Sequence, residues 1–203
     1  LDHIDFQVIK ENPKPFIGFS DSTALLLSII EKAEIPIIHG PNVVSFVNAS
    51  VSTKESFYNT LTNFVDKIEL KHPQIIKSGK CSGVLKGGNI ATISHLLGTG
   101  FQPNFDNTVL FLEDIGEPAY KIDRMLMQMK MSNLFTGLKG VITGSFENCE
   151  NDEYIEDILF EVFDIYQIPI LFGLESGHGK INLSLRMGTK IELDTERAEI
   201  LWK

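Results

Sequence analysis

Three short stretches carry residue types that together suit a hydrolytic triad: Gly18-Phe19-Ser20-Asp21, Leu112-Glu113-Asp114-Ile115-Gly116-Glu117-Pro118 and Gly177-His178-Gly179. A serine hydroxyl is a weak nucleophile until a positioned base takes its proton, and an imidazole serves best when a carboxylate fixes its tautomer. Ser20 stands where a strand is expected to turn sharply into a helix, with Gly18 two before it and Ser22 two after. Small neighbours of that kind let a nucleophile elbow bend, and the backbone N–H of Asp21 would face a developing oxyanion. Each stretch also has a plainer reading. Ser20 fits a helix N-cap. Glu113 and Asp114 fit a solvated acidic turn ahead of a helix. His178 between two glycines fits a flexible surface loop.

A fourth stretch, Lys86-Gly87-Gly88-Asn89, reads as a glycine turn entering a helix. Gly88 and Asn89 are therefore candidates to hold a substrate carboxylate at a helix N-terminus. A compact strand-to-helix turn explains the same residues. The Gly-Lys-Ser/Thr ending of a phosphate-binding loop is missing, which argues against nucleotide hydrolysis. His39 and the remaining histidines lack the glycine flanks of His178, and His95 falls inside an expected helix. No metal site and no cofactor are expected, since the chain has no His-Glu-x-x-His run and its two cysteines are far apart.

The elements that must position these residues alternate. Strands are predicted over 15–19, 35–38, 83–85, 108–112, 140–143 and 168–172, with a closing hairpin over 187–194 and 198–202. Helices are predicted over 21–33, 53–67, 89–97, 119–131 and 152–166. Helix 53–67 is read as amphipathic, burying Phe57, Leu61, Phe64, Val65 and Ile68. Polar Lys71 to Lys80, with Pro73 and Gly79, is read as a linker. The pattern indicates an α/β architecture with a largely parallel sheet.

The 203 residues suffice for one large domain or two small ones, and 43% apolar with 22% charged residues is ordinary for a folded protein. A net charge of −9 argues against nucleic acid or an anionic membrane surface as partner. No apolar stretch approaches the roughly 20 residues that span a bilayer. Cys81 and Cys149, without a Cys-x-x-Cys pair, fit a reducing cytoplasm. The start at Leu1 has neither the basic nor the apolar region of a signal peptide, and no initiating Met.

The same stretches resemble the LD-carboxypeptidases that trim peptidoglycan tetrapeptides, and the related microcin C immunity proteins. The matching segments are 16–25 around Ser20, 85–92, 111–126 around Glu113, 141–146, and 172–189 around His178. Glu117-Pro118-Ala119-Tyr120-Lys121-Ile122-Asp123-Arg124 leans toward the carboxypeptidase branch. The resemblance implies Ser20 as nucleophile, Glu113 as triad carboxylate and His178 as general base. It implies a partial flavodoxin-like N-terminal domain over 1–70, the linker 71–80, and a C-terminal swivelling β/β/α domain over 81–203. The site would lie between domains. The family has further residues ahead of the nucleophile strand, including a Gly-rich loop that completes the oxyanion hole, so a fragment of a longer enzyme is expected. Arg186 stands where the family usually has proline, which is expected to alter a loop near His178.

The expected activity is release of the C-terminal D-alanine from a muropeptide or similar small peptide, by a cytoplasmic homodimer. The alternatives are an immunity-type amidase acting on an aminoacyl-nucleotide analogue, and a catalytically inactive binding or dimerisation module.

Overall fold

The computed structural model describes residues 1–62 and 66–203. Two sheets organise the chain. The smaller has three strands, with β1 (Ile17–Gly18) parallel to β2 (Ile37–His39) and β9 (Leu185–Met187) antiparallel on the far side of β2. The larger has eight strands: β3 (Lys67–Glu69), β4 (Gln74–Lys77), β5 (Lys80–Asn89), β6 (Thr108–Ile115), β7 (Gly140–Glu147), β8 (Ile170–Phe172), β10 (Lys190–Asp194) and β11 (Glu199–Trp202). Their spatial order is β3-β11-β10-β5-β6-β7-β8-β4. The centre, β5 to β8, is parallel, and the flanking pairs are antiparallel. The expected α/β class is therefore what forms.

β6 explains how this sheet works. Side chains alternate across a strand. Leu110 and Leu112 face one core, with α5 (Ile90–Ser94), α6 (Ala119–Met131) and α7 (Ile155–Phe163) packed over them. Val109 and Phe111 face the other core, shared with α2 (Thr23–Ser28) and the smaller sheet. Alternation then puts Glu113 on the Phe111 face, toward the nucleophile element. α6 runs over the residues its spacing predicts, burying Ala119, Ile122, Leu126 and Met129. Leu126 is fully buried, so Leu126→Ala would cost about 2–5 kcal/mol.

Several expectations are corrected. The segment read as a linker carries β4, an edge strand paired with β8, its polar residues suiting a sheet margin. β3 from the first segment joins the larger sheet and β9 from the last joins the smaller, so the sheets do not follow the boundaries at 70 and 80. β9 and β10 are separate strands, and only β10 and β11 form the closing hairpin. Gly87 and Gly88 lie within β5 at φ 139° and 145°, not in a turn. A Cβ on Gly88 would come 2.6 Å from Thr23 Oγ1, so the glycine allows the close approach of α2. Two short helices were unanticipated, α1 (Phe6–Glu11) and α3 (Val43–Val47).

α4 (Val51–Thr62) ends before the expected Lys67, and Ile68 belongs to β3. Its buried residues are Thr53 and Thr60, while Phe57 is half-buried and Leu61 exposed. Phe64 and Val65 lie outside the described residues. The inward face is thus a row of hydroxyls. Thr53 Oγ1 accepts from Asn182 N at 2.9 Å, Ser56 Oγ accepts from Ser184 N at 3.0 Å, and Thr60 Oγ1 contacts Ser184 O at 3.5 Å. These bonds satisfy an extended segment that has no strand partner there.

Candidate active site

Ser20 follows β1 directly and opens a 3₁₀ turn, Ser20–Ser22, that leads into α2. Its φ is +61°, a left-handed conformation that a serine occupies only under local constraint. Phe19 before it is extended and buried. Ser22 N donates to Phe19 O at 3.2 Å, and Thr23 N donates to Ser20 O. This is a sharp strand-to-helix turn with a strained serine at its apex, as the elbow reading predicts. Ser20 Oγ takes no N-cap role, because the turn makes no side-chain cap bond. Asp21 is exposed on the same turn.

Glu113 sits in β6, which runs to Ile115 instead of stopping at Leu112, while β7 runs to Glu147 instead of Thr143. The acids that sequence reading put in a turn are strand residues. The pairing of β6 with β7 is irregular between Leu112 and Asp114, a bulge of the kind that re-aims side chains near sites. Glu113 is 0% exposed. Its Oε2 accepts from His178 Nδ1 at 2.6 Å, a short charge-assisted bond. With Nδ1 committed, Nε2 is the ring nitrogen left for proton transfer. Glu113 Oε1 has no hydrogen-bond partner among the described residues.

The loop carrying His178 is built to hold this bond. Gly177 has φ +107°, and a Cβ there would come 2.6 Å from Glu113 Oε2. Its N–H donates to Asn182 Oδ1 at 3.1 Å. Gly179 N donates to Ser145 Oγ at 2.8 Å, and Ser145 N donates to Ser176 O at 3.0 Å. The His178 ring lies 4.8 Å, centroid to centroid, from that of Phe19. The residue ahead of Ser20 therefore touches the base that Glu113 holds, and three remote stretches converge on one place.

His178 borders a cavity of about 280 Å³ with Phe19, Pro41, Ser45, Thr53 and Lys180. Lys180 and Gly179 also border a wider groove of about 630 Å³, edged by Glu147, Asp152, Glu153, Glu156 and Glu175. Lys180 forms no ion pair among the described residues. Sequence reading passed over it, although a lysine two residues after His178 was a visible signal.

Gly88 and Asn89 are not free to anchor a substrate. Asn89 is buried and caps α5, accepting from Thr92 N at 2.9 Å, while its Nδ2 donates to Asp114 Oδ1 at 3.0 Å. Asp114 Oδ2 accepts from Ala91 N at 2.9 Å. The helix-end donors are spent on protein carboxylate and amide oxygens. Burial raises the Asp114 pKa, against the lowering pull of bonds from Ile115, Ala91 and Asn89. Arg186 is also far from its expected loop role. It lies in β9 opposite Ile38 and borders a separate apolar cavity with Pro13, Phe16 and Pro36. Among the described residues no cluster of three or more His, Cys, Asp or Glu side chains is arranged to hold a metal ion. No described helix is long and apolar enough to cross a membrane.

His39, set aside on sequence, is the larger omission. It ends β2, is 1% exposed, and packs beside the triad segments. Burial, reinforced by His178 and only partly countered by the Glu113 carboxylate, pushes its pKa down to about 4. It is therefore neutral at pH 7. Its position at the carboxyl end of a parallel strand was the missed signal.

The chain is thus a two-sheet α/β protein in which a buried carboxylate–imidazole pair lies against the residue ahead of a strained serine turn. Residues 82–193 match the LD-carboxypeptidase C-terminal domain, and residues 1–40 match the LD-carboxypeptidase N-terminal domain. The chain belongs to the LD-carboxypeptidase family. It is 32% identical to a probable murein peptide carboxypeptidase of Bacillus subtilis, over 95% of this chain and 63% of that protein. It is 28% identical to the microcin C7 self-immunity protein of Escherichia coli, over 98% of this chain and 68% of the other. The crystal structure of a muramoyltetrapeptide carboxypeptidase from Oxalobacter formigenes superposes with a TM-score of 0.86 at 26% identity, covering 100% of this chain and 74% of that one. The chain spans about three-fifths of the length of the first curated relatives it matches.

Proposed function

We propose that this chain is the catalytic part of a serine-type LD-carboxypeptidase that releases the C-terminal D-alanine from muropeptide tetrapeptides in the cytoplasm. The observation that carries the reading is the 2.6 Å Glu113–His178 bond set against Phe19 and the Ser20 turn. The carboxypeptidase relatives support the reaction class. Two free cysteines suit a reducing compartment.

Ser20 Oγ attacks the carbonyl carbon of the L,D bond as His178 Nε2 takes its proton. Glu113 holds the Nδ1–H and stabilises the imidazolium that forms. The N–H of Asp21 donates to the oxyanion of the tetrahedral intermediate, the interaction that typically contributes about 3–4 kcal/mol per donor. Collapse breaks the C–N bond, and His178 returns the proton to the leaving amine of D-alanine. Water, deprotonated by the same imidazole, then attacks the acyl carbon; the Oγ–C bond breaks and His178 returns the proton to Ser20 Oγ. Lys180, on the rim of both cavities, is placed to meet the substrate's terminal carboxylate.

The test is D-alanine release from a defined tetrapeptide by the full-length protein. Release abolished by Ser20→Ala supports the assignment, and undiminished release removes Ser20 from it. Likeness to the microcin C7 self-immunity protein favours a second substrate class. Assay of an aminoacyl-nucleotide analogue beside the tetrapeptide decides between them by kcat/KM.

A further inference from the structure

His39 is buried, yet no substrate chemistry described above uses it. Its neighbours are unusual as a set. Its ring lies 6.2 Å from that of Phe19, the residue before Ser20. It lies 5.0 Å from that of Phe111, two residues before Glu113. Its Nδ1 is 3.5 Å from Ser176 Oγ, two residues before His178. Its backbone stands opposite Gly18 in the pairing of β1 with β2. One side chain thus touches all three segments that bear the proposed triad.

The polarity of these contacts is specific. Ser176 Oγ gives its proton to Leu183 O at 2.8 Å, so it turns a lone pair toward His39. That assigns the His39 proton to Nδ1. Nε2 has no partner among the described residues, a desolvated nitrogen that costs free energy. An uncharged ring also leaves the Glu113 carboxylate to His178, where a cation would compete for it.

We propose that His39 is a positioning residue, a single neutral imidazole that holds the Ser20, Glu113 and His178 segments in mutual register. The proposal rests on the Ser20–Glu113–His178 reading for its catalytic consequence, but not for its structural one. Two variants separate a polar role from mere filling. His39→Phe keeps the ring and its packing but removes both nitrogens. His39→Asn packs less but keeps an N–H near the Nδ1 position. A filling role ranks Phe above Asn, and the positioning role ranks Asn above Phe.

Two readouts apply that ranking. The first is the low-field proton resonance of the His178 Nδ1–H in this chain, which needs no substrate. It is expected in the wild type and in His39→Asn, and lost or shifted upfield in folded His39→Phe. The second is kcat and KM of the full-length protein on the tetrapeptide. His39→Phe is expected to lower kcat on the order of 10- to 100-fold with KM within about twofold, short of the roughly 10⁴-fold loss of an orienting carboxylate. Asn is expected to restore most of that. Should His39→Phe fail to fold, a folded His39→Asn that keeps the resonance supports the proposal, and one that loses it overturns the proposal. Equal or better performance by Phe also overturns it. If the wild type releases no D-alanine, the carboxypeptidase reading falls while the resonance still decides the role of His39.

Discussion

The two halves of the site are held in different ways. Glu113 rises from the middle of an eight-stranded sheet, flanked by β5 and β7, and its carboxylate is wholly buried against His178. Ser20 rises from a two-residue strand in a three-stranded sheet and sits at φ +61°. The first half is set by core packing and a short ionic hydrogen bond. The second is set by backbone strain and a few neighbours, chiefly Phe19 and His39. An acid–base pair benefits from burial, because a dry carboxylate grips an imidazolium strongly. The proposed nucleophile must stay reachable, and Ser20 sits where the fold is thinner, in a kind of region that opens at lower free energy.

Breaking each half in turn sharpens that contrast. Ser20→Ala should remove activity on the order of 10⁶-fold in kcat while leaving the melting temperature nearly unchanged, since the side chain contributes chemistry and no cap bond. Glu113→Gln should lower kcat by about 10⁴-fold, because a neutral amide no longer fixes the tautomer or stabilises the cation. Both are read from D-alanine release, with circular dichroism as the control for folding.

The next effect is in stability. His39 titrates near 6.5 when unfolded and is held to about 4 in the fold. Between those values the unfolded chain binds more protons, so stability is full above pH 6.5 and falls as pH drops toward 4. The loss should reach about 3 kcal/mol at pH 4. Asp114, raised by burial, contributes with the opposite slope. Denaturant melts of wild type against His39→Phe therefore isolate the histidine: the difference should vanish from the variant's curve. Gly177→Ala should cost about 1–3 kcal/mol by the same melts, from φ +107° and the crowding of Glu113 Oε2, and should weaken kcat with it. Smallest is Lys180→Ala, where loss of one exposed cation should raise KM about five- to tenfold with kcat little changed.

How much of this was legible follows the same division. α6 could be read to the residue, because Pro118 marks its start and the apolar spacing is helical throughout. The ends of β6 and β7 could not, because buried acids and hydroxyls interrupt an apolar run just where the site begins. Gly87 and Gly88 look like a turn to local rules, yet both lie in β5, Gly87 against the β6 backbone at Phe111 and Gly88 against Thr23 of α2. β4 looks like a linker because it has no fully buried side chain, only Ile76 packing partly against a core. The hydroxyl face of α4 defeats hydrophobic periodicity altogether, since its partners are backbone groups of 182–184. Ser20, Glu113 and His178 stood out because reactive side chains sat at turn-like punctuation. Asn89 stood out for the same reason and is a helix cap, whereas nothing local singles out His39, whose contacts come only from tertiary packing.

The Ser20–His178–Glu113 assignment is decided by a crystal structure of the full-length protein with a tetrapeptide analogue bound, in which the Ser20 Oγ to His178 Nε2 separation is measured. Hydrogen-bonding reach, roughly 2.6–3.2 Å, is expected, with Glu113 still holding Nδ1. An imidazole turned away from Ser20 while it keeps its bond to Glu113 would contradict the assignment.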